Sequence, residues 1–260
     1  MKRLISVMLV IVLALCMLAG CAKHEAKDDI KAIKENGKII VGITEFKPME
    51  YKENGEWVGF VADLARKFAK ALEVDVEFKV INWDNKVLEL NDLGIDCVWN
   101  GMTIKEELKK EMDISTAYLR NAQVVVVKAD VAENYQTEES LKNLKFAVEG
   151  GSAGESVAKE NKFDVNVVED QATALMEVAS GTSDACIIDL LMANATVGEG
   201  TDYPTLTYTV KLNSEEYGVG FRKGSDLTKK FNQFYAQELE EGTIEELANK
   251  YNIPLDTIIK

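Results

Sequence analysis

The chain has 260 residues, 44 acidic against 30 basic, and a formal net charge of −14. Such acidity excludes the basic surface that a nucleic-acid partner requires. The length suits two modest lobes or one large domain, and four cysteines with a single histidine offer no cysteine–histidine metal set, so neither a metal nor a cofactor is expected.

Lys2 and Arg3 precede an apolar run from Leu4 to Met17, followed by Leu18-Ala19-Gly20-Cys21. This resembles a bacterial lipoprotein signal: residues 1–20 would be removed and Cys21 lipidated, which puts the rest outside the cytoplasm, anchored to the cell membrane. A transmembrane anchor is the competing reading, but it needs about 20 apolar residues. Residues 21–36 are charged, poor in large apolar side chains and hold the histidine, His24, so they read as a tether.

"GKIIVGI" then reads as a buried strand, and "GFVADLARKFAKALEV" places Phe60, Val61, Leu64, Ala65, Phe68, Ala69 and Leu72 at helical spacing. "VDVEFKVIN" alternates as a strand, "WDNKVLELNDLG" is helical, and "IDCVWNG" is a short strand ending at Asn100-Gly101. That order predicts a parallel α/β sheet. The pattern restarts at "LKFAVEGG", with a helix near Glu155 to Asn161, a strand "FDVNVVE", a helix "ATALMEVASG" and a strand "ACIID". Helix, Gly, Asp, strand thus occurs twice. "AQVVVVKAD" and "EEYGVGFRKG" are expected to carry the chain out to the second lobe and back, and helices near Asp226–Glu241 and Thr243–Tyr251 to complete the first. Cys97 and Cys186, each in an apolar run, read as buried free thiols, with a disulfide as the alternative.

Ligands of open α/β sheets lie beyond the carboxyl ends of the strands. That rule selects Phe46, Trp83, Asn100, Gly101 and Thr103 from one lobe and Gly151, Ser152 and Asp189 from the other. Phe46 and Trp83 fit a core role equally well, and Trp99 fits it better. Ser152 suits a helix N-cap or, with nearby amides, an anion site. Asp189 ends an apolar strand, where a carboxylate needs a ligand ammonium, a salt bridge or a helix cap. Lys105 to Glu111 reads as a solvated helix face.

Together, "FKPMEYKENGEWVGFVADLA", "NGMTIKEEL…DIS", "LKNLKFAVEGGSAGES", "SDACIID" and "EEYGVGFRKG…EEGTIEELANKYN" resemble the polar amino-acid branch of the extracellular solute-binding proteins of ABC importers, over about Gly37 to Asn252. The resemblance implies a two-lobed type II periplasmic-binding fold, each lobe a mostly parallel sheet flanked by helices, joined by two hinge strands. Lobe one would comprise 37–121 plus 218–260 and lobe two 122–217. It further implies a monomer without catalytic residues, partnered by a small amino acid-like molecule and by permease transmembrane subunits. Phe46 and Trp83 would flank the ligand side chain, Asn100, Gly101, Thr103, Gly151 and Ser152 would meet the head group, and Asp189 would take the α-ammonium.

One departure stands out. Where the family commonly carries an arginine that clamps the α-carboxylate, this chain has Leu108, and leucine cannot replace two parallel charge-assisted hydrogen bonds. Beyond the signal the arginines are Arg66, on a polar helix face, Arg222, in an exposed-looking turn, and Arg120, which becomes the candidate carboxylate partner, with Lys47 as another. The alternative is a cationic amine without a free carboxylate, held by Glu45, Glu149, Asp189 and aromatics. Amides at the helix start by Ser152 favour the amino acid. Two other readings on the same fold are a cyclohexadienyl-dehydratase-like enzyme, weakened by the lack of a histidine outside the tether, and a sensor ectodomain.

Overall fold

The computed structural model describes residues 26–260; the expected signal peptide, the expected lipidation at Cys21 and residues 22–25, with His24, lie outside the described residues. The strands are β1 Lys38–Ile43, β2 Tyr51–Glu53, β3 Glu56–Val58, β4 Asp75–Val80, β5 Cys97–Val98, β6 Met112–Ile114 and β7 Leu119–Asn121. They continue with β8 Gln123–Lys128, β9 Lys145–Glu149, β10 Asp164–Val168, β11 Ala185–Asp189, β12 Leu206–Lys211, β13 Glu215–Tyr217 and β14 Gly220–Arg222. One sheet has the order β4-β1-β5-β14-β6 and a second the order β10-β9-β11-β8-β12. In each, the three strands supplied by the strand–helix repeat run parallel, while β14 and β6, or β8, pair antiparallel.

Two lobes follow from this order, because the chain leaves the first sheet after β6 and returns through β14. The crossings are β7 and β13, paired antiparallel with Arg120 opposite Glu216. The outward run expected at "AQVVVVKAD" is therefore one strand too late: β8 belongs to the second sheet, and the crossing lies just before it. The helix Phe60–Leu72 buries every apolar position that the spacing selected. With the helices Asp226–Glu240 and Thr243–Lys250 it covers one face of the first sheet, and Phe68, Trp99, Phe231 and Phe234 pack there edge-on or tilted. Trp99 is core, and Cys97 and Cys186 are buried free thiols.

Residues 29–36, assigned above to a tether, are instead a helix that buries Asp29 and Ile33. The missing signal is long-range. Arg222, which reads as exposed next to "KG", is only 6% exposed and meets Asp29 with Nε and Nη2 at 3.1 Å. The same guanidinium pairs with Asp96 at 3.0 Å and donates to the carbonyls of Leu90 and Ile95. Its planar fork of five donors is thus fully used, which is what lets a charged network sit inside a lobe.

Candidate functional site

The sequence predicts a site where the strand ends of the two lobes face each other, and the structure has a cavity there. It is lined by Trp83, Asn100, Gly101, Thr103, Gly151, Ser152 and Asp189 from the expected set. The wall also includes Lys86, Met102, Lys105, Leu108, Glu149, Ala153 and Gln171. The space is about 20 Å³, room for one water where ligand pockets hold roughly 300–1,000 Å³. A wider trough of about 660 Å³ continues outward past Lys105, Leu108, Ser156 and Glu215.

Phe46 does not line the cavity: it is 1% exposed and its ring lies under Gly101, where an added Cβ would come within 2.3 Å of it. It packs beneath Gly101 as the floor of the cavity wall. The Gly101 amide donates to Asn100 Oδ1 at 2.8 Å, while the Asn100 side-chain amide donates to Thr44 O at 2.8 Å and Glu50 Oε2 at 3.1 Å. Asn100 therefore spends its side chain holding the turn and offers the cavity mainly backbone. Thr103 bridges to Tyr217 on β13, which ties this loop to the hinge.

On lobe two, Ser152 caps the helix Ala153–Glu160 by accepting from Glu155 N at 3.0 Å, and Glu155 Oε2 accepts from Gly151 N at 3.0 Å. These reciprocal bonds already satisfy the amide expected to meet an anion. Gly151 has φ +70, and a Cβ there would stand 2.6 Å from Asp84 Cα of the other lobe. Gly151→Ala is therefore expected to hold the lobes apart. Ligand affinity measured by calorimetry should fall at least tenfold, while the empty protein loses only about 1–2 kcal/mol from the left-handed backbone.

Asp189 is 3% exposed. It accepts hydrogen bonds from Asn121, Gln171 and Tyr217, and from Gln123 Nε2 at 2.9 Å. Asn121 and Gln123 also donate to Glu215 Oε1, at 2.7 and 2.8 Å, so two carboxylates share the same amides. Burial first, and the Glu215 charge second, push the Asp189 carboxyl upward. Asn121, Gln123, Glu215 and Tyr217 all lie on or beside the crossing strands, which couples this acidic pole to the hinge.

Lysines, not arginines, line the cavity beside Leu108. Arg120 is exposed, because β7 alternates with Leu119 and Asn121 buried, and its Nη1 reaches only Asp256 O at 3.5 Å; it does not serve the cavity. Lys47 pairs with Asp202 at 3.0 Å on the exposed rim between the lobes. Lys86, in contrast, is 6% exposed. Its ammonium donates to Trp83 O at 3.0 Å and to Gly151 O of the other lobe at 2.9 Å, 5.0 Å from the Trp83 ring centre. Burial and then the Lys105 charge pull it down to about 8, against the opposing carboxylates of Glu149, Asp84 and Glu155. Lys105, taken above as part of a solvated run, leaves that run to reach lobe two: its ammonium meets Ser156 Oγ at 2.8 Å, and burial lowers its pKa as well. Only the helix Glu106–Glu111 behind it is free of buried residues. Leu108 adds an apolar side chain to the same wall.

Lys86 was legible as a residue three after Trp83 in a helix start, yet nothing local distinguishes it from a surface lysine. A cleft with a cationic edge from lobe one and a buried acidic pole from lobe two suits a small zwitterion and needs no bond-making chemistry.

Residues 39–253 match the bacterial extracellular solute-binding proteins, family 3. The L-cystine-binding protein TcyJ of Escherichia coli K12 is 31% identical over 248 residues, covering 92% of each chain. Among solved structures, a mutant of ArgBP from T. maritima is similar at 32% identity and TM-score 0.81, over 87% of this chain and all 100% of that one. A histidine-bound ABC uptake transporter substrate-binding protein of Streptococcus pneumoniae has 26% identity and TM-score 0.82, over 91% and 100%.

Proposed function

Because the chain belongs to the bacterial extracellular solute-binding proteins, family 3, we propose that it captures an α-amino acid between its lobes, with Asp189 on the ammonium and Lys86 on the carboxylate. As a family member it is the binding component of an ABC import system, works outside the cytoplasm in association with the membrane, and acts by binding rather than catalysis. The reading is carried by one observation: an ammonium from lobe one and a carboxylate from lobe two line the same small cavity.

The remaining steps follow from electrostatics. An amino acid entering an opened cleft brings its own ammonium to the acidic pole, where burial has left Asp189 short of positive charge. Its carboxylate gives Lys86 a charged partner in place of two carbonyls, with Lys105 on the same side and Asn100, Gly101, Thr103, Gly151 and Ser152 around the head group. Trp83 covers the side chain. Both lobes then hold one molecule, so the filled cleft favours closure about the hinge strands. The tether ends in a lipid at Cys21, as the Leu-Ala-Gly-Cys sequence supports.

Thermal shift on protein stripped by unfolding and refolding tests this, using each amino acid beside its amide. Ligand at a thousand times Kd raises stability by about 4 kcal/mol. A stabilising amino acid should lose its effect as the amide, and Lys86→Met should weaken the acid by on the order of 30-fold or more while changing amide binding little. Stabilisation by amides and amines alone would sink the proposal in favour of a ligand without a carboxylate.

A further inference from the structure

Glu149, at the carboxyl end of β9, has no role in that scheme. It is 2% exposed and lines the cavity. Its Oε1 is buried without a hydrogen-bond partner; of the unpartnered buried side-chain atoms among the described residues, it alone belongs to a residue of this wall. Burial and then the Asp189 charge push the carboxyl up to about 8, with the Gln171 amide and Lys86 acting the other way. An acceptor left unsatisfied away from water costs about 1–3 kcal/mol, more if charged, until a donor arrives. Glu149 Oε1 is therefore the buried acceptor of this wall that still awaits a donor.

The same wall also accommodates positive charge. The Lys86 ammonium sits over the Trp83 ring and on the Gly151 carbonyl, and Glu149 is the carboxylate whose charge most favours its protonated form. An aromatic face, an inward backbone carbonyl and a buried carboxyl are together the chemistry that selects a cation. Resting on the amino-acid reading above, we propose that Glu149 determines specificity by taking a second cationic group, so that the ligands are amino acids whose side chain ends in an ammonium or guanidinium. Asp189 then binds the α-ammonium, Lys86 the α-carboxylate and Glu149 the side chain.

Calorimetry on the purified, refolded protein with arginine against citrulline, and lysine or ornithine against norleucine, reads this. The cationic member of at least one pair should bind on the order of 30-fold or more tightly than its neutral counterpart. In Glu149→Gln that gap should shrink to about threefold, through weaker binding of the cation, and Glu149→Asp should restore part of it. Neutral members binding wild-type protein as tightly as cationic ones would overturn the assignment and leave the amino-acid reading standing. A gap unchanged in Glu149→Gln would also overturn it, since another group would then read the cation. If no amino acid binds while amides or amines do, the underlying reading falls, and this one with it. Should Glu149→Gln fail to fold, Glu149→Asp takes its place: a shorter carboxylate must change the arginine-to-ornithine ratio, and an unchanged ratio counts against Glu149.

Discussion

Asp189→Asn is expected to abolish tight ligand binding while leaving the empty protein as stable as before or more so. The two halves of that expectation come from one feature. Asp189 is buried beside Glu215, with shared amide donors, and its carboxyl is pushed up by burial and by that neighbour. A carboxyl whose folded pKa lies above its unfolded value costs stability as pH rises past the unfolded value, and asparagine removes that cost. The ligand ammonium reverses the balance, since it supplies the charge the site lacks; removing the carboxylate then costs about 2–5 kcal/mol of binding, on the order of 30- to several-thousand-fold. Calorimetry with the ligand found by thermal shift, together with urea unfolding of the empty protein at pH 7, checks both halves. Undiminished binding would take the ammonium away from Asp189. A large loss of stability without ligand would make Asp189 a structural anchor.

Arg222→Met should be the most destabilising of the changes considered, although it lies far from the cleft. The substitution leaves the carboxylate of Asp29, whose side chain is 0% exposed, without its guanidinium. It also removes the donors to Leu90 O and Ile95 O. Breaking a buried ion pair from one side costs about 3–5 kcal/mol, which for a chain of this size lowers the midpoint by roughly 10 °C. Because Asp29 belongs to the first α-helix of the described residues, limited proteolysis should cut near residues 29–36 before global unfolding begins. Asp29→Asn combined with Arg222→Met should recover part of the loss. A midpoint within about 2 °C of wild type would mean that the network is far more hydrated than its burial indicates.

The two changes fail in different places for a common reason. In this fold the charges that matter are assembled from distant segments: Asp29 with Arg222 and Asp96 in one lobe, Asp189 with Glu215 and the hinge amides in the other. The first network fixes the helix Asp29–Asn36. The second sits beside the strands that cross between the lobes.

What the sequence by itself determined was the architecture. Strand and helix periodicities are local, and the helix Phe60–Leu72 buries the positions its spacing selected. The doubled strand–helix order implied two parallel sheets, and the rule that ligands bind at carboxyl strand ends led to Trp83, Asn100, Gly101, Thr103, Gly151, Ser152 and Asp189, all of which line the cavity. Leu108 was equally legible, as a missing arginine.

What only the tertiary structure decided was which groups take over. Long charged side chains have their effect several ångströms from their own backbone, so a local pattern cannot say whether a lysine ends in solvent or between lobes. Lys86 and Lys105 look like surface lysines in sequence, and both reach lobe two. Arg120 and Arg222 were misread in opposite directions, because the exposure of a strand residue is set by which sheet face a distant segment covers. Phe46 lies beneath Gly101 rather than in the cavity wall, and Glu149, which the sequence offered only for a cationic amine, is placed by the structure with Asp189, Gln171 and Lys86. Periodicity records which face of an element is apolar; the convergence of charges at one point depends on how elements distant in sequence meet.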